Sequence, residues 1–78
     1  MSGRRCIAAL DAGTTAVKVC LFSETADLLA VSVQEYALDA RGDRVEADPD
    51  RYWQAICQGM ARVLAQVPNA RVEAVGLT

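Results

Sequence analysis

The stretch LDAGTTAVK, Leu10 to Lys18, decides how this chain is built. It has an acidic residue closing an apolar run, a break of small residues around Gly13 with two hydroxyls, and a second apolar segment carrying one cation. Upstream, Ile7 to Leu10 is wholly apolar and meets the polar break as a buried strand meets a turn. Downstream, AVKVCLF, Ala16 to Phe22, puts Val17, Val19 and Leu21 on one face and Lys18, Cys20 and Phe22 on the other, the alternation of a sheet strand. The polar run SETAD, Ser23 to Asp27, has hairpin length. LLAVSVQEY, Leu28 to Tyr36, then has the β-branched content of a third strand.

Farther along, Ala37 to Asp48 mixes small and charged residues around Gly42 and reads as a loop, with a brief extended piece near Val45. Asp48, Pro49 and Asp50 announce a helix, since an Asp side chain caps free amides and Pro at the first helical position loses no hydrogen bond. Trp53, Ile56, Met60, Val63, Leu64 and Val67 recur at spacings of three and four, an apolar stripe that must face a sheet and that Pro68 and Asn69 terminate. VEAVGLT, Val72 to Thr78, is strand-like and reaches the last residue without a turn or cap, which predicts an architecture continued beyond it. Three strands in hairpin succession, a helix and a further strand make a mixed α/β layer with an incomplete sheet.

Composition narrows the function. The chain has 78 residues, 53% of them hydrophobic and 23% charged, as in a folded core and not a disordered tail. A domain this short buries only roughly 60% of its unfolded surface, so its stability is marginal. A net charge of -2 excludes the clustered basic surface that nucleic acid requires. Cys6, Cys20 and Cys57 form no CxxC pair and the chain has no histidine, so they are expected as reduced core thiols. Arg4 and Arg5 read as a solvated flank. The apolar run behind them, Cys6 to Leu10, is too short for a signal peptide, which needs about 7 to 15 residues, or for a membrane span. A cytoplasmic location is the expectation.

The candidate chemistry sits in the first hairpin, for which the residues alone leave open the plainer reading of an Asx-type turn joining two strands with a surface lysine beyond it. A tight turn of small residues can aim backbone amides at phosphate oxygens, and Gly13 allows close approach because it has no side chain. Thr14 and Thr15 add hydroxyl donors, and Lys18 adds a cation able to neutralise charge on a moving phosphoryl group. Asp11 suits Mg²⁺, which binds through one or two carboxylates together with phosphate oxygens and water. No GxxxxGK[ST] motif is present, and the turn leads into a strand, so this is not a P-loop. Asp48 is better employed as a cap than as a catalytic partner of Glu46. Tyr52 and Trp53 are better placed for core packing than for sugar stacking.

LDAGTTAVK resembles the first phosphate motif of the actin, Hsp70 and sugar kinase superfamily. RVEADPDRYWQAI, Arg44 to Ile56, resembles the Val-Glu, Asp-Pro and aromatic helix start of the FGGY carbohydrate kinases, and VEAVGLT resembles that family's next strand. The resemblance implies a partial ribonuclease H-like, actin-like ATPase domain, with residues 1–78 as the truncated N-terminal part of the first domain. It also implies ATP and Mg²⁺ as cofactors, a sugar or polyol substrate and a homodimeric parent. Thr14, Thr15 and Lys18 would meet phosphates and Asp11 would hold Mg²⁺ through water. The catalytic base and the adenosine pocket would belong to later parts of a longer protein, leaving this segment inactive alone. Ala16 stands where glycerol kinases have a phosphate-contacting Ser, and SETAD lacks the Gly common in this hairpin. The run Tyr52 to Ala55 resembles xylulose kinases more than glycerol kinases. The Val-Glu, Asp-Pro segment speaks against a noncatalytic actin-like protein, while a truncated gene product without activity is the remaining alternative.

Overall fold

Alternation along the second strand organises the sheet. In the computed structural model, which describes residues 3–13, 15–35, 39–41, 44–46 and 49–78, strand β1 spans Arg4–Ala12, β2 Ala16–Ser23 and β3 Leu28–Glu35. Short strands β4, Asp39–Arg41, and β5, Arg44–Glu46, precede helix α1, Pro49–Gln66, and strand β6, Ala70–Leu77. The expected antiparallel meander of the first three strands forms, and β6 adds parallel to β1, giving the order β3-β2-β1-β6. Strands β1, β3 and β6 therefore share one direction, and β2 alone opposes them.

Val17, Val19 and Leu21 are fully buried, and their neighbours on β1, Cys6, Ala8 and Leu10, complete the inward face. Burying each large aliphatic side chain is worth about 1.5–3 kcal/mol, so this face is the main reason the strands hold their register. Helix α1 packs on β2 and β3. Its buried line consists of Ala55, Gly59 and Val63, with Tyr52, Ile56, Met60 and Val67 half-buried beside it. Gly59 marks the closest approach, because a Cβ built there would lie 2.7 Å from Val19 Cγ2.

Several expectations need correction. Trp53 is not on the packed stripe; it is 65% exposed, because the helix turns Tyr52 toward the sheet instead. Cys57 is an exposed thiol, Cys20 is half-buried, and only Cys6 is the expected core cysteine. The first strand is longer than Ile7 to Leu10 and is buried on one face only, leaving Ile7 44% exposed. Arg4 and Arg5 belong to that strand, and Arg5 pairs with Glu24 at 3.8 Å and with Glu73 at 3.5 Å. The segment expected as a loop contains the β4–β5 pair, with Ala40 opposite Val45, so the brief extended piece expected near Val45 is present and gains a partner strand. The Asp48 cap and Tyr36 lie outside the described residues.

The SETAD turn closes without glycine. Ser23 Oγ accepts from the amides of Thr25 at 3.3 Å and Asp27 at 3.1 Å, while Ala26 takes φ 68°, the left-handed conformation that glycine adopts at least cost. At the other side of the sheet Asn69 O receives the amide of Arg4 at 2.6 Å, so the end of α1 delivers the chain directly onto β1.

The helix approach gives a stability prediction. Gly59→Ala gains about 1 kcal/mol in helix propensity. The new methyl, however, collides with a buried β-branched side chain that has little rotamer freedom, and overpacking costs about 1–3 kcal/mol. Urea unfolding should show a net loss of about 1 kcal/mol; a gain would mean that the helix does not lie this close to Val19.

Candidate functional site

Because β1, β3 and β6 run together, their carboxyl ends meet at one edge of the sheet, the edge where ligands bind in open α/β sheets. The β1–β2 turn and the first turn of α1 lie at the same edge, joined by a hydrogen bond in which Tyr52 Oη donates to Gly13 O at 3.2 Å.

Register decides which side chains gather there. Asp11 is the direct cross-strand partner of Lys18, and Ala12 that of Val17. Since Leu10 and Val17 point into the core, Asp11 and Lys18 both stand on the opposite, open face of the sheet, and both are exposed. Thr15 is exposed in the turn, whereas Thr14 lies outside the described residues. Of the residues singled out in the sequence, the register pairs Asp11 with Lys18, beside the turn that contains Gly13 and Thr15.

Two details refine the turn. The Gly13 amide donates to Ala16 O at 2.8 Å, so that amide closes the hairpin and is not among those turned toward a common external point. Among the described residues, the nearest atom to a Cβ built on Gly13 is Ala16 O at 3.4 Å, an ordinary contact. Among the described residues, packing therefore gives no reason for glycine here.

Sequence reasoning missed Thr78. The end of the chain zips onto β1, with Thr78 N donating to Leu10 O at 2.9 Å and Ala12 N donating to Thr78 O at 3.3 Å. Thr78 Oγ1 consequently lies 3.4 Å from Asp11 Oδ1, at the long limit of a hydrogen bond. The only sequence signal was the strand-like run itself, which does not say beside which strand it lies.

Asp11 is an exposed carboxylate with the Thr78 hydroxyl as a side-chain neighbour. Among the described residues no three or more His, Cys, Asp or Glu side chains converge as an all-protein metal cage. One exposed carboxylate with a neighbouring hydroxyl suits an ion that keeps its waters and takes further oxygens from a phosphate. Among the described residues, Arg5 of β1 pairs with Glu73 of β6 at 3.5 Å, and Arg71 pairs with the same Glu73 within β6 at 3.2 Å, both at the opposite end of the sheet. That end also has a hollow of about 320 Å³ lined by Gly3, Arg4, Arg5, Ser23, Glu24 and Thr25. No helix among the described residues is long and apolar enough to cross a membrane.

The architecture is that of solved actin-like sugar kinases. A gluconate kinase from Lactobacillus acidophilus superposes with a TM-score of 0.90 over 96% of this chain and 15% of its own, at 21% identity. A Plasmodium falciparum glycerol kinase with ADP gives a TM-score of 0.88 over 100% of this chain and 16% of its own, at 14% identity. By sequence, residues 6–78 match the N-terminal domain of the FGGY family of carbohydrate kinases. The glycerol kinase of Rhodospirillum centenum is 36% identical over 81 residues, covering 100% of this chain and 16% of its own length. The chain belongs to the FGGY carbohydrate kinase family, and it spans only about 16% of the length of that relative.

The Gly13 geometry is testable on its own. Gly13→Ala should leave the unfolding midpoint nearly unchanged, within about 0.5 kcal/mol, as for a surface substitution without a clash. A large loss in thermal denaturation would show that the turn needs glycine for folding, removing the argument that ligand approach selects it.

Proposed function

We propose that residues 1–78 are the N-terminal part of the first actin-like domain of an ATP-dependent sugar or polyol kinase, contributing the hairpin that holds the nucleotide phosphates. The observation that carries this reading is the pairing of Asp11 with Lys18 on the open face beside the Gly13 turn. Lys18 would neutralise phosphate charge as the terminal phosphoryl group transfers, and the hydroxyls of Thr14 and Thr15 would donate to phosphate oxygens. Asp11 would orient a water-coordinated Mg²⁺ against the same phosphates; that ion supplies charge neutralisation on the transferring group when bound. The named relatives act as comparisons for substrate: glycerol and gluconate kinases both place a hydroxyl-rich small molecule in the acceptor role.

The substrate itself is recognised elsewhere. Tyr52 is occupied by the sheet and the Gly13 carbonyl, so the Tyr52 to Ala55 run that resembles xylulose kinases supports no choice among sugars. The base that activates the acceptor hydroxyl and the adenosine pocket are assigned to a longer protein, a homodimer in this proposal, as is a cytoplasmic location. Transfer requires positioning and charge stabilisation together. The isolated chain with Mg·ATP should therefore release no phosphorylated glycerol or gluconate, as followed by ADP formation; turnover above the uncatalysed rate would contradict the division of labour.

Phosphate binding can be tested without the adenosine pocket. In NMR titrations with magnesium tripolyphosphate, amide shifts should concentrate on residues 11–18, and Lys18→Ala should weaken the apparent affinity by about tenfold or more, as for loss of a charge-assisted contact. Shifts centred instead on Arg4, Arg5 and Thr25 would assign the anion to the other end of the sheet and sink the reading.

A further inference from the structure

The hydrogen bond between Tyr52 and the Gly13 carbonyl spans 39 residues of sequence. It connects the helix to the turn at the point where β1 and β2 have ended their pairing. We infer that Tyr52 is a positioning residue, whose hydroxyl holds the phosphate hairpin in a fixed relation to the helix; this rests on the phosphate-binding reading of that hairpin.

Three observations carry the inference. First, the ring of Tyr52 is half-buried against the core, so the hydroxyl projects from a packed and not a freely rotating side chain. Second, Tyr52 and Gly59 lie seven positions apart, two helical turns, and thus on the same side of α1. Gly59 locks that side against Val19, where a Cβ would already be 2.7 Å from a methyl group. The hydroxyl is therefore aimed by a helix whose depth on the sheet is fixed two turns farther along. Third, the acceptor is the carbonyl of the residue whose amide closes the turn onto Ala16 O at 2.8 Å. Both sides of one residue are thus held, the amide by the hairpin and the carbonyl by the helix. A hairpin tip tied at this residue presents the groups that follow it, Thr15 and Lys18, with less conformational freedom to lose when an anion binds.

The bond is long for a hydroxyl donor, so its expected effect is local and modest. Tyr52→Phe keeps the packed ring and removes only the donor. In the full chain, hydrogen exchange at the Gly13 amide should accelerate by about threefold or more, while the amides of Val19 and Leu21 in the sheet core keep their wild-type protection. The same variant should weaken magnesium tripolyphosphate binding by about two- to fivefold, the size expected from one neutral hydrogen bond. A purely structural role would instead lower protection uniformly across helix and sheet, and that outcome overturns the inference. So does an unchanged Gly13 exchange rate.

Failure of this inference and failure of the phosphate reading are separable. If Lys18→Ala abolishes tripolyphosphate binding while Tyr52→Phe leaves both exchange and affinity unchanged, the site stands and the positioning role falls. If the wild-type chain shows no response at residues 11–18, the phosphate reading falls, and the exchange measurement still decides whether Tyr52 tethers the turn.

Discussion

The register of β1 against β2 is the constraint on which everything else in this chain depends. It places Asp11 opposite Lys18 and, one position on, Ala12 opposite Val17. Moving β2 by one residue would drive Lys18 into the core and expose Val17, Val19 and Leu21 to water. The cost, several large aliphatic side chains at about 1.5–3 kcal/mol each, exceeds anything the polar face could return. The apolar side of the hairpin therefore fixes the geometry of the polar side, and the candidate anion site is a consequence of core packing.

The helix adds a second layer of the same logic. Small residues, Ala55 and Gly59, let α1 lie close on β2 and β3, and Tyr52 at the same side of the helix reaches the turn. The helix covers β2 and β3 but leaves Val75 and Leu77 of β6 exposed, Leu77 by 71%. Strand β6 matters to the site through its backbone, which follows β1 to Thr78 and brings a hydroxyl beside Asp11. The fold thus converts residues distant in sequence, 11, 18, 52 and 78, into one edge of a sheet.

Much of this was legible in the chain because its signals are binary. The alternation in AVKVCLF states which side of β2 faces inward, and LDAGTTAVK states where the turn falls. Spacing also located α1, yet it misjudged Trp53. An apolar pattern can begin its stripe at Trp53 as easily as at Tyr52, and the deciding residues are the small ones, which a hydrophobic pattern does not register. Gly59 looks like a weak point of the helix in sequence and is its contact point in space. The ion pairs of Arg5 with Glu24 and Glu73, and the arrival of Thr78 at Asp11, depend on strand neighbours that sequence order does not specify. The residue types of the candidate site were readable, whereas the engagement of the Gly13 amide within the hairpin was not.

A paramagnetic measurement tests the central claim most directly. With Mn²⁺ replacing Mg²⁺ in the tripolyphosphate complex, line broadening should be strongest at the amides of Asp11, Thr15, Lys18 and Thr78, falling away along both strands toward Arg5 and Ser23. Broadening that peaks around Arg5, Glu24 and Glu73, with Asp11 and Lys18 unaffected, would contradict the account.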